Sequence, residues 1–226
     1  MTTPTMSHIF ASLSLLTWVG TLTVVVLAVV RHFRPDSAVA DLFEDLGPLS
    51  LWLGWIVAAV TMGGSLYYSQ VANFVPCELC WAQRICLYPF AIVLFVAALR
   101  RDRKVWTYVV PVAVIGAAIA TYHVQLQAYP AQQSFCSALV PCTTRYVWEF
   151  GFVSLPFMSL AASCFIITMV LVARATDPDR YELVDDDGTD GSSSAGPDDP
   201  TTPSSSSART PSRPSNDVPT DQVGAL

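Results

Sequence analysis

The sequence predicts an all-α integral membrane protein: a four-helix transmembrane bundle, one extra N-terminal transmembrane helix and a disordered C-terminal tail. Three observations carry that prediction. Only 13% of the 226 residues are charged and 52% are hydrophobic, whereas an ordinary soluble domain has about a quarter of its residues charged. The charge is also unevenly spread: residues 177–226 hold 11 of the 18 acidic groups and three Arg, a net of −8, which leaves residues 1–176 with nine basic and seven acidic groups, a net of +2. Within residues 1–176, long stretches carry no charge at all.

The first stretch, residues 9–30, is charge-free over 22 positions, enough helix at about 1.5 Å per residue to cross about 30 Å of hydrocarbon. No Lys or Arg precedes it, while Arg31 and Arg34 follow, so it reads as a retained span rather than a cleaved signal peptide. Residues 47–77 form the second stretch, and residues 85–99, bounded by Arg84 and Arg100, the third. Those 15 residues give only about 22 Å of helix, too little to cross. The third helix must therefore begin earlier, which puts Arg84 at or just below the outer interface. In the fourth stretch, residues 105–144, roughly the first 20 read as helix before Gln, Pro and Ser accumulate. Residues 150–173 form the fifth. Beyond them the chain turns acidic and rich in Ser, Thr and Pro, as in Thr201-Thr202-Pro203-Ser204-Ser205-Ser206-Ser207, with too little apolar surface to offset its chain entropy. The expected division is 1–46 for the extra helix and its cytoplasmic link, 47–174 for the bundle, and 175–226 for the tail. The acidic balance argues against nucleic acid as a partner.

Orientation follows from where the basic residues sit. The link Arg100-Arg101-Asp102-Arg103-Lys104 holds four basic residues in five and reads as cytoplasmic; Arg31, Arg34 and Arg174 agree. Residues 71–84 and 125–149 then lie outside with the N-terminus, in a multi-pass protein of the cell membrane whose tail is inside. Cys77, Cys80, Cys136 and Cys142 fall in outward loops, where disulfides persist. Cys86 and Cys164 fall within spans and read as small buried hydrophobes.

Cys77-Glu78-Leu79-Cys80 precedes a helix, whose N-terminal N–H groups and dipole give a thiol thiolate character. With the second pair, Cys136 and Cys142, on the same side, a disulfide can pass between pairs by thiolate attack. Two static disulfides and a four-thiolate zinc site are the competing readings, the second pair being widely spaced for a zinc knuckle. Arg84 lies four residues after Cys80, on one helical face with it. Alone it reads as an Arg snorkelling to headgroups; beside a thiol it suits the binding of an electron acceptor. His123, near the outer end of the fourth span, reads alone as an interface residue. It gains interest from lying at the depth of Arg84.

Pro76-Cys77-Glu78-Leu79-Cys80-Trp81-Ala82-Gln83-Arg84 with Tyr88-Pro89 resembles the first outward loop and second helix of the DsbB family of disulfide-generating membrane enzymes, in particular its BdbC-like, Gram-positive branch. Tyr122-His123-Val124-Gln125-Leu126-Gln127-Ala128-Tyr129-Pro130, then Cys136, Val140-Pro141-Cys142-Thr143-Thr144-Arg145, Phe150-Gly151-Phe152 and Pro156 continue the resemblance. It covers roughly residues 47–173 and leaves out the leading span and the tail. It implies a quinone-dependent protein-disulfide oxidoreductase that reoxidises a secreted or membrane-anchored, thioredoxin-fold, DsbA-like oxidase and passes the electrons to a quinone, menaquinone ahead of ubiquinone. On the resemblance, Cys136 is the sulfur attacked by the partner, Cys142 attacks Cys77, and Cys80 faces the quinone. Arg84 would then steady charge on a quinone oxygen, with His123 and Gln127 near the ring; no metal is implied. A vitamin K epoxide reductase-like enzyme fits less well, since that family sets its quinone-facing Cys-x-x-Cys at the start of the last core helix. A non-catalytic scaffold with two inert disulfides would leave Arg84 without a role.

Overall fold

The computed structural model describes residues 3–34, 38–132, 136 and 140–177. Of the expected 175–226 tail, residues 178–226 lie outside the described residues, and Ala175 still belongs to the last helix. The fold is all-helical: α1 (Thr3–Phe33), α2 (Ala38–Gln70), α3 (Glu78–Arg100), a 3₁₀ turn (Arg103–Val105), α4 (Trp106–Ala128) and α5 (Leu155–Ala175). All five α-helices are long and apolar enough to cross a membrane.

Their ends follow local chemistry. Helix α3 starts after Cys77, whose backbone is extended, and has Glu78 in its first turn and Arg100 in its last, each charge complementing the helix dipole. Arg101 is left-handed at φ 53°, and the N–H groups of Arg101 and Asp102 return to Ala98 and Ala97 carbonyls, closing the helix. Asp102 then accepts from the Lys104 N–H at 2.9 Å, starting the 3₁₀ turn. The basic link is thus an ordered corner at the end of α3 opposite the Cys-x-x-Cys pair. Arg103 donates to the Thr176 carbonyl, and the Arg174 guanidinium lies 3.6 Å from the centre of the Trp106 ring, which ties this end together.

The third helix begins at Glu78 rather than residue 85, as the length argument requires, and its 23 residues span about 34 Å. The second charge-free stretch runs to Cys77, but α2 ends at Gln70, where the outward loop was expected to begin at residue 71. There Asn73 turns left-handed at φ 55°, the Phe74 N–H returns to the Tyr68 carbonyl, and Pro76 disfavours helix for the residue before it. The fifth was expected to start at residue 150, but α5 begins at Leu155. Phe150 and Gly151 have φ of 52° and 80°, and Glu149 pairs with Val153 in an isolated bridge. Apolar composition did not distinguish this turn from helix. The link expected before residue 47 is itself helical from Ala38.

Helix α5 is central, packed against α1, α2 and α4, while α3 sits between α2 and α4. Its buried face includes Ser159, Ala161, Ala162, Ser163 and Ala173. Small residues matter here because lipid and protein are equally apolar, so close backbone approach and dispersion decide helix association. Leu94, Val109, Ile166 and Val170, with 0% exposure, form the middle of the core.

Candidate functional site

Cysteine chemistry gathers at the end of the bundle opposite the basic corner. Cys77, the N-cap of α3, and Cys80, one turn into it, have hydrogen-bonded sulfurs 3.0 Å apart, and both are free. Cys136 and Cys142 are joined in a disulfide. The pairs share one apolar cluster with Leu79 and Leu126. Cys142 is buried, while Cys136 is half-exposed.

His123, on α4 and only 2% exposed, sits between the pairs. Its Nε2 lies 3.0 Å from the Cys142 carbonyl oxygen and 3.8 Å from Cys77 Sγ. Gln83 Nε2 donates to His123 Nδ1 at 3.2 Å, which leaves Nε2 as the N–H that faces both partners. The Cys77 thiol is held well below the ordinary thiol range. Its hydrogen bond with Cys80 is the largest cause and outweighs burial, and the His123 contact adds to it. Of the two thiols, Cys77 is therefore the one biased toward the thiolate, the form that exchanges disulfides and leaves readily from one.

A cavity of about 520 Å³ lies on another side of α3, walled by α1, α2, α3 and α5. Its walls are mostly apolar, and Cys80, Gln83, Arg84, Ser65 and Tyr88 give it a polar end. Arg84 Nε donates to Ser65 Oγ at 3.0 Å and Nη2 to the Ser65 carbonyl at 3.1 Å. Tyr88 Oη donates to the same Ser65 hydroxyl at 3.0 Å, and the Trp81 ring lies 5.4 Å from the guanidinium. The charge is anchored, not free to snorkel. Ser159 Oγ, on the cavity wall, is buried without a hydrogen-bond partner among the described residues. Tyr68, Phe74 and Tyr146, stacked at 5.7 and 4.9 Å, line it as well. A flat apolar molecule with polar oxygens fits this donor set, because the walls take its carbon skeleton and the Arg84 end and Ser159 offer N–H and O–H donors.

The structure thus brings Cys77, Cys80, Cys136, Cys142 and His123 together, and sets Cys80 and Arg84 on the cavity. Neither His123 nor Gln127 lines it. Gln127 is buried against the second loop, where its Nε2 donates to the Thr144 carbonyl at 3.1 Å and its backbone carbonyl accepts from Arg145. Sequence reasoning missed Gln83, Ser65 and Ser159. Gln83 had a signal, a polar residue at helical spacing from Cys80. Ser65 and Ser159 had none, because each matters only through what packs against it.

The family model described as "Disulfide bond formation protein DsbB" matches residues 48–173. Disulfide bond formation protein C of Bacillus subtilis (strain 168) is 40% identical over 126 residues, covering 55% of this chain and 91% of that relative. Probable disulfide formation protein C 1 of Bacillus cereus (strain ATCC 10987 / NRS 248) is 41% identical over 114 residues, 49% of this chain and 81% of the relative. A probable disulfide formation protein of Oceanobacillus iheyensis is 43% identical over 124 residues, 54% and 84% respectively. No solved structure matches the chain.

Proposed function

Because the chain belongs to the DsbB family of disulfide bond formation proteins, we propose that its cysteine pairs relay electrons from an exported, thioredoxin-fold, DsbA-like dithiol protein to a membrane quinone. One observation carries the reading. The Cys77/Cys80 pair shares a cluster with the Cys136–Cys142 disulfide, while Cys80 also lines an apolar cavity beside an anchored Arg84.

The thiol steps balance as follows. A partner thiolate attacks Cys136 Sγ, the more accessible sulfur of its disulfide, and Cys142 leaves as thiolate. Cys142 attacks Cys77 of a Cys77–Cys80 disulfide and releases Cys80. The partner's second thiolate closes the partner's own disulfide by displacing Cys136. Cys136 then re-forms its bond to Cys142 and displaces Cys77, a good leaving group because its thiolate is stabilised by Cys80 and His123. Two electrons and two protons have moved from the partner's dithiol to Cys77 and Cys80. The arrangement with Cys136–Cys142 bonded and Cys77 and Cys80 free is that state.

Cys80 and Arg84 would hold a quinone in the cavity, which would supply the two-electron, two-proton acceptor needed for Cys77 and Cys80 to re-form their disulfide. Arg84 and Ser159 would hold its oxygens, and the guanidinium, fixed by Ser65, provides preorganised positive charge in a water-poor site. Gln83 and His123 hold the thiol side in register. The thiol end faces outward and the basic corner inward, a direction supported by the basic residues at that corner. The decisive experiment supplies purified protein with a reduced thioredoxin-fold partner and a menaquinone or ubiquinone analogue. Stoichiometric quinol and partner disulfide are expected; partner oxidation without quinone reduction would remove the acceptor role.

A further inference from the structure

Helix α1 lies outside the family match, which begins at residue 48, yet it is fastened to the rest of the bundle along its outer half. Tyr68 Oη donates to Ser7 Oγ at 3.4 Å, and His8 Nδ1 lies 3.0 Å from Glu149 Oε2. The Phe10 ring is 5.7 Å from Tyr68 and Trp18 6.0 Å from Phe157. At Gly20 a Cβ would stand 3.3 Å from the Phe165 ring, so glycine permits this close approach to α5.

These contacts hold Phe10, Ser14, Thr17 and Gly20 along the cavity. The Ser14 and Thr17 hydroxyls donate to carbonyls of α1 itself, Ala11 and Leu13, so their polarity is satisfied within the helix and they add little polar demand to the wall. The other walls come from α2, α3 and α5. Without α1, the groove that holds Cys80 and Arg84 would open sideways.

We infer that α1 is a specificity wall: it converts a lateral groove beside Cys80 and Arg84 into a pocket and selects the apolar tail of the quinone admitted there. This rests on the quinone reading of the cavity. The ring oxygens are held at the Arg84 end, so the tail must run along the apolar part, where α1 supplies contact surface.

The test uses the full chain in lipid nanodiscs. A photoreactive azidoquinone is crosslinked and the labelled peptides are mapped by mass spectrometry. Equilibrium binding of a long-tailed and a short-tailed quinone is measured on the unaltered chain, on Thr17→Trp, and on Leu22→Trp, which alters an exposed α1 residue away from the cavity. Label is expected on residues 10–20. Thr17→Trp should weaken the long-tailed quinone by about tenfold or more, about 1.4 kcal/mol, and the short-tailed one less, with Leu22→Trp close to the unaltered chain. Label confined to α3 and α5, or equal affinities for the two Trp variants, overturns the inference while leaving the quinone site intact. If the unaltered chain takes up neither label nor quinone, both fall.

Discussion

The first two turns of α3 serve two unlike neighbourhoods. Toward α4 and the second loop, Cys77 meets His123 in a compact cluster. Toward α1, α2 and α5, Cys80 and Arg84 meet a roomy apolar cavity. One neighbourhood stabilises a thiolate with short polar contacts; the other keeps space for a guest and fixes a single charge at its edge. On the proposed reading, the contrast teaches that thiol exchange and acceptor reduction need opposite surroundings. A helix supplies both within two turns because Cys80 and Arg84, four apart, share one face, while Cys77 leaves from the extended N-cap.

The comparison breaks most sharply at Cys80, the atom common to both sides. Cys80→Ser should lower quinone reduction by at least about a thousandfold, as removal of a covalent catalytic group does. Reduction of Cys136–Cys142 by the partner should persist and be seen by thiol trapping; loss of both would mean that the two neighbourhoods are not separable. Arg84→Ala should act on the cavity side alone, with a drop in quinone turnover of about a hundredfold. The rate of mixed-disulfide formation with the partner, followed in a Cys142→Ser background, should be unchanged. Equal quinone kinetics would return Arg84 to an anchoring role.

His123→Ala probes the other side with a smaller effect. With a lowered thiol pKa, the alkylation rate of Cys77 should stay at its alkaline plateau through neutral pH and fall only in acid, as protonation removes the thiolate. Loss of the His123 contact should move that fall toward higher pH by about one unit. The shift is partial because the hydrogen bond with Cys80, the larger cause, remains. An unmoved profile would remove His123 from the thiolate's support. The smallest effect is expected at Gly151, where φ is 80° and no atom lies within 4 Å of an added Cβ. Gly151→Ala should cost about 1 kcal/mol of stability through backbone strain alone, read as a modest fall in thermal midpoint with thiol exchange intact.

Five spans, a basic corner at one end and two cysteine pairs at the other were legible in the sequence, as was the shared helical face of Cys80 and Arg84; that Cys80 stands inside α3 rather than in the loop was not. Each legible feature follows from a residue's own transfer energy between water and lipid or from spacing along one helix. Tertiary structure alone decided that Ser65 anchors Arg84, that Gln83 orients His123, that His123 stands between the cysteine pairs away from the cavity, and that α1 closes the cavity's open side. The turn at Phe150–Gly151 belongs with these, since its residues are apolar enough for a span. The physical reason is common to all of them: in a bilayer, lipid-facing and protein-facing surfaces have the same composition. Which faces meet is therefore set by close packing and by hydrogen bonds between distant segments, and neither leaves a periodic trace in the chain.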